Sequence, residues 1–236
     1  MQFIKETFRE EKIYFYGSIY VILSLVAFGV INYFTWSPGV VTELSTVALL
    51  CWVSLYLPVI VFNKFAGWKV NEFGFVLNKR VGLVMVISLL LGAWLYVREP
   101  EIRMFDQWHY SLIEAFARVG EEAYFRGFIY VLALRLFKTQ KKPHLWAIML
   151  SSVAFTVMHT QSFLPENGSP ILQILLLALF LAYLRHTTGS LLPSITIHCL
   201  LKGNLLGILF GWAIYALFVI WAYVERSLEK RQWNTA

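Results

Sequence analysis

The sequence predicts an all-α fold, a polytopic membrane helix bundle of about eight transmembrane helices, and three observations carry that expectation. Of the 236 residues, 58% are hydrophobic and 14% are charged, with a mean hydropathy of +0.63; soluble domains carry roughly 25% charged residues. The apolar residues fall in long blocks, and a spanning helix needs about 20 of them. Basic residues gather in alternate connections, as they do in the cytoplasmic loops of membrane proteins.

The first block, Tyr14–Trp36, follows Lys5, Arg9 and Lys12. No small-residue cleavage site closes it, so it reads as a retained helix and not as a secretory signal. The second, Val40–Phe62, opens onto Asn63–Arg80, where Trp68, Phe73, Phe75 and Leu77 alternate with lysines. That mixture suggests a segment lying in the membrane interface. Val81–Val97 is the third block, and a mixed-charge connection leads from it to the fourth, Tyr110–Phe137. The fifth, His144–Thr160, follows the basic turn Lys138–Lys142. Pro165–Pro170 is a turn rich in helix breakers. The sixth block is Ile171–Arg185, the seventh Ser190–Lys202 and the eighth Asn204–Val224. The sixth and seventh are short for full spans.

One register accounts for the loop charges. Basic residues precede the first block, follow the second, fourth and eighth, and end the sixth, while Ser37–Gly39 and Gln161–Pro170 have none. Both termini are then cytoplasmic. Residues 1–236 read as a single membrane-embedded domain with no soluble domain, long linker or repeat. The net charge of +6 fits basic inner loops and needs no nucleic-acid partner. Cys51 and Cys199 lie in apolar blocks without metal or redox spacing and read as packing residues.

The fourth block breaks the pattern. It holds Glu114, Arg118, Glu121, Glu122 and Arg126 among apolar neighbours. Ionisable groups at membrane depth are costly and are found there when paired or functional. Side chains four apart share a helix face, so Glu122 is expected to pair with Arg126. A charge ladder from Glu114 through Arg118 and Glu122 to Arg126 fits one stripe. Glu121 lies about 100° round from Glu122, with Arg118 its close local partner. The pair thus divides into a structural glutamate, Glu122, and a freer one, Glu121, able to act as a base. The blander reading is an ion-pair lock between helices.

Two histidines recur in apolar helices, His159 at the end of the fifth block and His198 in the seventh. Either alone reads as a hydrogen-bonded packing residue. The loop-derived register brings both, with Glu121, to the outer half of the membrane, and an acid with two histidines in a dry cavity is a catalytic set. Lys202 lies four residues after His198, on the same face. His144 and His186 sit near basic inner ends and are assigned no chemistry. His-Glu-x-x-His, Gly-x-Ser-x-Gly and phosphate-binding glycine loops are all absent.

At these residues the chain resembles the CPBP family of CAAX-protease and bacteriocin-processing membrane proteins, also called Abi. Glu121, Glu122 and Arg126 match its Glu-Glu-x-x-x-Arg, Phe155 and His159 its Phe-x-x-x-His. Gly189, Ser190, Leu191 and Pro193 loosely match the lead-in to a third motif ending at His198. The resemblance covers about residues 110–206. One position departs: the family's His-x-x-x-Asn has Lys202 in the last place, and Asn204 would point about 160° away from it on a regular helix.

The resemblance implies an intramembrane glutamic protease with its active site inside the bundle. Glu121 would be the general base and His159 would help hold the water. His198 would face the scissile carbonyl, with Lys202 or Asn204 as oxyanion donor. Glu122 and Arg126 would form the structural pair, and Phe155 would pack the motif. No cofactor is expected; the alternative is a zinc ion on Glu121, His159 and His198, three ligands with an open position. The implied partners are the lipid bilayer and a membrane-embedded or lipid-anchored peptide or protein, such as a precursor, an anchored tail or a sorting signal. A multi-pass protein of a prokaryotic cytoplasmic (inner) membrane fits the length. The rival readings are a non-enzymatic immunity or scaffold protein of the same fold and a proton-coupled transporter, the latter disfavoured by the lack of paired half-segments.

Overall fold

A computed structural model describes residues 11–24, 26, 44–98, 108–159, 171–201 and 205–235. Every regular element among them is helical. We label them α1 (11–24), α2 (Leu44–Ala66), α3 (Lys79–Arg98), α4 (Trp108–Glu122), a π-helical segment (Ala123–Ile129), α5 (Tyr130–Leu136), α6 (Pro143–Met158), α7 (Ile171–Thr188), α8 (Leu192–Leu200) and α9 (Leu205–Thr235). Each of the eight apolar blocks is mostly helical where it is described.

Two of these helices, over Ile171–Thr188 and Leu206–Glu229, are long and apolar enough to cross a membrane by length and composition, while Leu55–Ala66 and Pro143–Met158 are shorter apolar helices. α8 has nine residues, less than half the length that a full crossing needs. The outer faces are apolar. Leu83, Val86, Ile87 and Leu90 of α3, Leu172, Leu176 and Phe180 of α7, and Leu217, Ile220 and Tyr223 of α9 are all exposed. Arg126, Glu122, Glu121 and His198 are buried instead. A surface of this kind suits hydrocarbon better than water.

The fourth block, expected as one helix, is α-helix, π-helix and α-helix in unbroken succession. At the exit of the widened turn the Tyr130 N–H reaches the Phe125 carbonyl, five residues back. Gly127 lies against the backbone of residue 73, so close that a Cβ there would stand 3.1 Å from the Phe73 carbonyl oxygen.

That neighbour belongs to the connection 67–78, which corrects the sequence expectation. Trp68, Phe73 and Phe75 do not lie in an interface; all three are buried inside the bundle. Trp68 packs on Phe62, Phe73 and Phe128, and Phe75 on Tyr215 and Phe218 of α9. Only Leu77, of the four, is exposed. The aromatic rings gain more by filling the space under α2, the π-helical segment and α9 than by facing headgroups. Polar bonds fasten the same connection. Tyr215 Oη donates to Val76 O at 2.7 Å, Leu191 N–H to Gly74 O at 2.9 Å and Arg185 Nη2 to Glu72 O at 2.7 Å. Gly74 has φ +98°, and a Cβ there would meet Arg185 Nε at 2.6 Å.

Around this plug, α4 packs on α9, α2 and α8, while α6 packs on α7 and α5. The π-helical segment lies among α2, α6 and α7. Four helices therefore bring side chains toward the carboxyl end of α4.

Candidate active site

α4 supplies the carboxylates. Its outer turns are linked by Arg118, whose Nε and Nη2 donate to Glu114 Oε2 at 3.3 and 3.1 Å. Its Nη1 donates to Glu121 Oε1 at 2.8 Å. Glu122 Oε1 accepts from Arg126 Nη1 at 3.1 Å, with both side chains fully buried. The Glu122–Arg126 pair is the one expected from their spacing. The continuous ladder is not formed: Arg118 turns to Glu121, three residues ahead, and leaves Glu122 to Arg126. Both spacings place side chains on one face, and the tertiary neighbours of Glu122 decide between them.

The decisive neighbour is His198 on α8. The chain enters α8 through Gly189, at φ +70°, and Ser190. Ser190 Oγ contacts Tyr215 Oη at 2.8 Å and accepts from Leu192 N–H at 3.2 Å. Pro193 sits in the first turn, where a missing N–H costs nothing. Six residues after Leu192, His198 places Nδ1 2.8 Å from Glu122 Oε1 and Nε2 3.6 Å from Glu121 Oε2. The imidazole thus lies between the two adjacent glutamates. Glu121 Oε2, Glu122 Oε2 and Arg126 Nε are buried without a hydrogen-bond partner.

α6 contributes Phe155 and His159. His159 caps the helix, and its Nδ1 lies 2.8 Å from the Phe155 carbonyl oxygen. A carbonyl only accepts, so Nδ1 carries the hydrogen and the neutral ring keeps Nε2 as an acceptor. His159 stands within electrostatic reach of Glu121 and His198. Phe155 joins the two histidines to Arg126. Its ring centroid is 4.4 Å from that of His159, 5.8 Å from that of His198 and 5.2 Å from that of Phe125, and the Arg126 guanidinium lies over its face at 4.1 Å. Arg126 Nη2 also donates to Ala178 O of α7 at 3.4 Å.

Glu121, Glu122, Arg126, Phe155, His159 and His198 are thus brought together from four elements. Lys202 and Asn204 lie outside the described residues. Cys199 is buried beside His198, and Cys51 falls in α2. Sequence reasoning does not reveal the Glu122–His198 bond or the Ala178 carbonyl. A small residue in the leucine-rich run of α7 is the one signal for the latter. Among the described residues, no group of three or more His, Cys, Asp and Glu side chains stands as a cage for a metal ion.

A second polar cluster stands at the opposite end of α6. Tyr130 Oη lies 3.3 Å from His144 Nδ1 and 3.2 Å from His186 Nδ1, and the two imidazole centroids are 4.5 Å apart. Nothing in the spacing of these two histidines brings them together in the sequence.

Residues 105–203 match the family described as Rce1-like, type II CAAX prenyl endopeptidase. This is the CAAX-protease family that the motifs resemble, and the matched stretch contains all six residues of the cluster. No curated protein and no solved structure matches the chain.

Proposed function

We propose that the chain is an intramembrane endopeptidase of the CAAX type, hydrolysing a peptide bond with a water activated by Glu121. The observation that carries this reading is the placement of His198 between Glu121 and Glu122, with His159 on the Phe155 ring that His198 also meets, within the stretch that matches a CAAX endopeptidase family.

The two glutamates divide the work. Glu122 is committed to Arg126 and to His198 Nδ1, so it fixes the ring plane and the position of Nε2. Glu121 Oε2 has no hydrogen-bond partner. A water bound there, with a second hydrogen bond to His159 Nε2, would be held by two acceptors. Glu121 Oε2 takes one proton of the water as its oxygen attacks the carbonyl carbon. Collapse of the tetrahedral intermediate breaks the C–N bond, and the proton passes from Glu121 to the leaving amine.

Charge on the carbonyl oxygen needs donors that are already in place. With Nδ1 held on Glu122, His198 would turn Nε2 toward the scissile carbonyl. Lys202, four residues on, would supply a donor in place of the family's asparagine. Lys202→Asn is then expected to keep substantial activity and Lys202→Ala to lose most of it; equal, parent-like turnover in both would remove Lys202 from the mechanism.

The substrate is read as a membrane-embedded or lipid-anchored peptide, and the protein as a multi-pass bundle with about eight helical segments at membrane depth and both termini cytoplasmic. Its apolar outer surface supports that setting. The hydrolysis is read as metal-free, with Glu121 itself activating the water; activity surviving strong chelation is the expected result. The central test compares the membrane proteome of cells carrying the parent or Glu121→Gln. Uncut precursors should accumulate with Glu121→Gln at unchanged protein level. Full processing by Glu121→Gln would overturn the assignment.

A further inference from the structure

The two oxygens of Glu121 have different surroundings. Oε1 accepts a 2.8 Å bond from Arg118 Nη1, while Oε2 has no hydrogen-bond partner and faces His198 Nε2 at 3.6 Å. Arg118 is itself anchored from behind, by two N–H groups on Glu114 Oε2. Side-chain exposure falls along the series, from 22% at Glu114 through 15% at Arg118 to 7% at Glu121. The guanidinium therefore bridges the open and closed ends of the site.

A carboxylate at the end of a flexible side chain has a broad, nearly two-fold terminal torsion. Left alone, Glu121 could present either oxygen to the cavity. Guanidinium is a planar fork with fixed donor directions. With Nε and Nη2 fixed on Glu114, the direction of Nη1 is fixed too, and so is the oxygen that it meets. Arg126 is directed elsewhere, to Glu122, the Ala178 carbonyl and the Phe155 ring.

We propose that Arg118 is a positioning residue for Glu121: clamped by Glu114, it holds Oε1, keeps the group a carboxylate and leaves Oε2 as the oxygen that takes the proton from water. The inference rests on the reading of Glu121 as the base. It assigns Glu114 a role that the motif alone does not, as the anchor of the fork.

Two measurements test it on the full chain in detergent or proteoliposomes. Dicyclohexylcarbodiimide labels buried carboxyl groups that carry a proton, and mass spectrometry locates the label without any substrate. The parent should resist labelling at Glu121. Arg118→Ala should be labelled there at least tenfold more, and added guanidinium chloride should suppress that gain. The second measurement is turnover of an internally quenched farnesylated CAAX peptide. Arg118→Lys keeps the charge but not the fork; it should stay unlabelled while kcat falls roughly ten- to a hundredfold at unchanged KM, as expected for a misplaced catalytic group. Glu114→Gln should lower kcat in the same sense by less.

Parent-level labelling of Glu121 in Arg118→Ala overturns the inference, and so does a parent-like kcat in Arg118→Lys. If Arg118→Ala does not accumulate, labelling and turnover of Arg118→Lys and Glu114→Gln decide. Cleavage of the peptide by Glu121→Gln at the parent rate would instead sink the base assignment, and the labelling result would stand apart from it.

Discussion

Glu122 holds His198 by a 2.8 Å hydrogen bond across 76 residues of chain, and the same carboxylate oxygen carries the 3.1 Å bond from Arg126. One oxygen thereby ties α4, the π-helical segment and α8 at a single point. Glu122→Gln should uncouple both. Removing one partner of a buried ion pair costs about 3–5 kcal/mol, so the variant should melt well below the parent in a thermal scan in detergent. Arg126→Met in the Glu122→Gln background should restore part of that loss. Additive losses in the double variant would show that the pair is not coupled.

Phe155 sits against both histidines and under Arg126. Phe155→Leu retains an apolar filling but loses the flat face. Turnover should fall about tenfold to a hundredfold, as for other losses of positioning, with protein level retained. An unchanged kcat would mean that the ring only fills space.

Trp68 is buried within the plug, whereas Leu77 is exposed on the same connection. Trp68→Ala should cost about 3–5 kcal/mol and Leu77→Ala close to nothing. Comparing the two melting temperatures separates a buried plug from a segment lying on lipid. Equal, small shifts would favour the lipid-facing position.

Gly74→Ala meets two obstacles at once, the positive φ and the Arg185 guanidinium 2.6 Å from the new Cβ. Strain of this kind costs of order 1–3 kcal/mol, before the displacement of Arg185. Reduced accumulation and a lower melting temperature are the expected readouts, and a parent-like melting curve would contradict the close contact between plug and α7.

Local chemistry is legible in this sequence and tertiary chemistry much less so, for physical reasons. Helical spacing alone decides the contact between Glu122 and Arg126, so their pairing can be read from the chain. Arg118 is offered two acids by the same helix, and the choice between them depends on a histidine from another helix. Trp68, Phe73 and Phe75 mislead because a lysine-flanked aromatic run has the same composition whether its rings face headgroups or a bundle. The π-helical turn leaves no mark at all: no residue type demands it, and it accompanies a backbone contact between Gly127 and Phe73 that spans 54 positions in the chain.

That wide turn has a consequence for insertions and deletions. Each residue added to or removed from an α-helix turns the remainder of the helix by about 100°. A π-turn accommodates a residue that a purely α-helical run could take up only by re-aiming one of its ends. With it in place α4 keeps its seat on α9 while Tyr130 keeps its place by His144 and His186. A residue added or removed in the α-helical part of the run, with the π-turn retained, would re-aim one polar cluster against the other, and Arg126, inside the π-turn, belongs to the first.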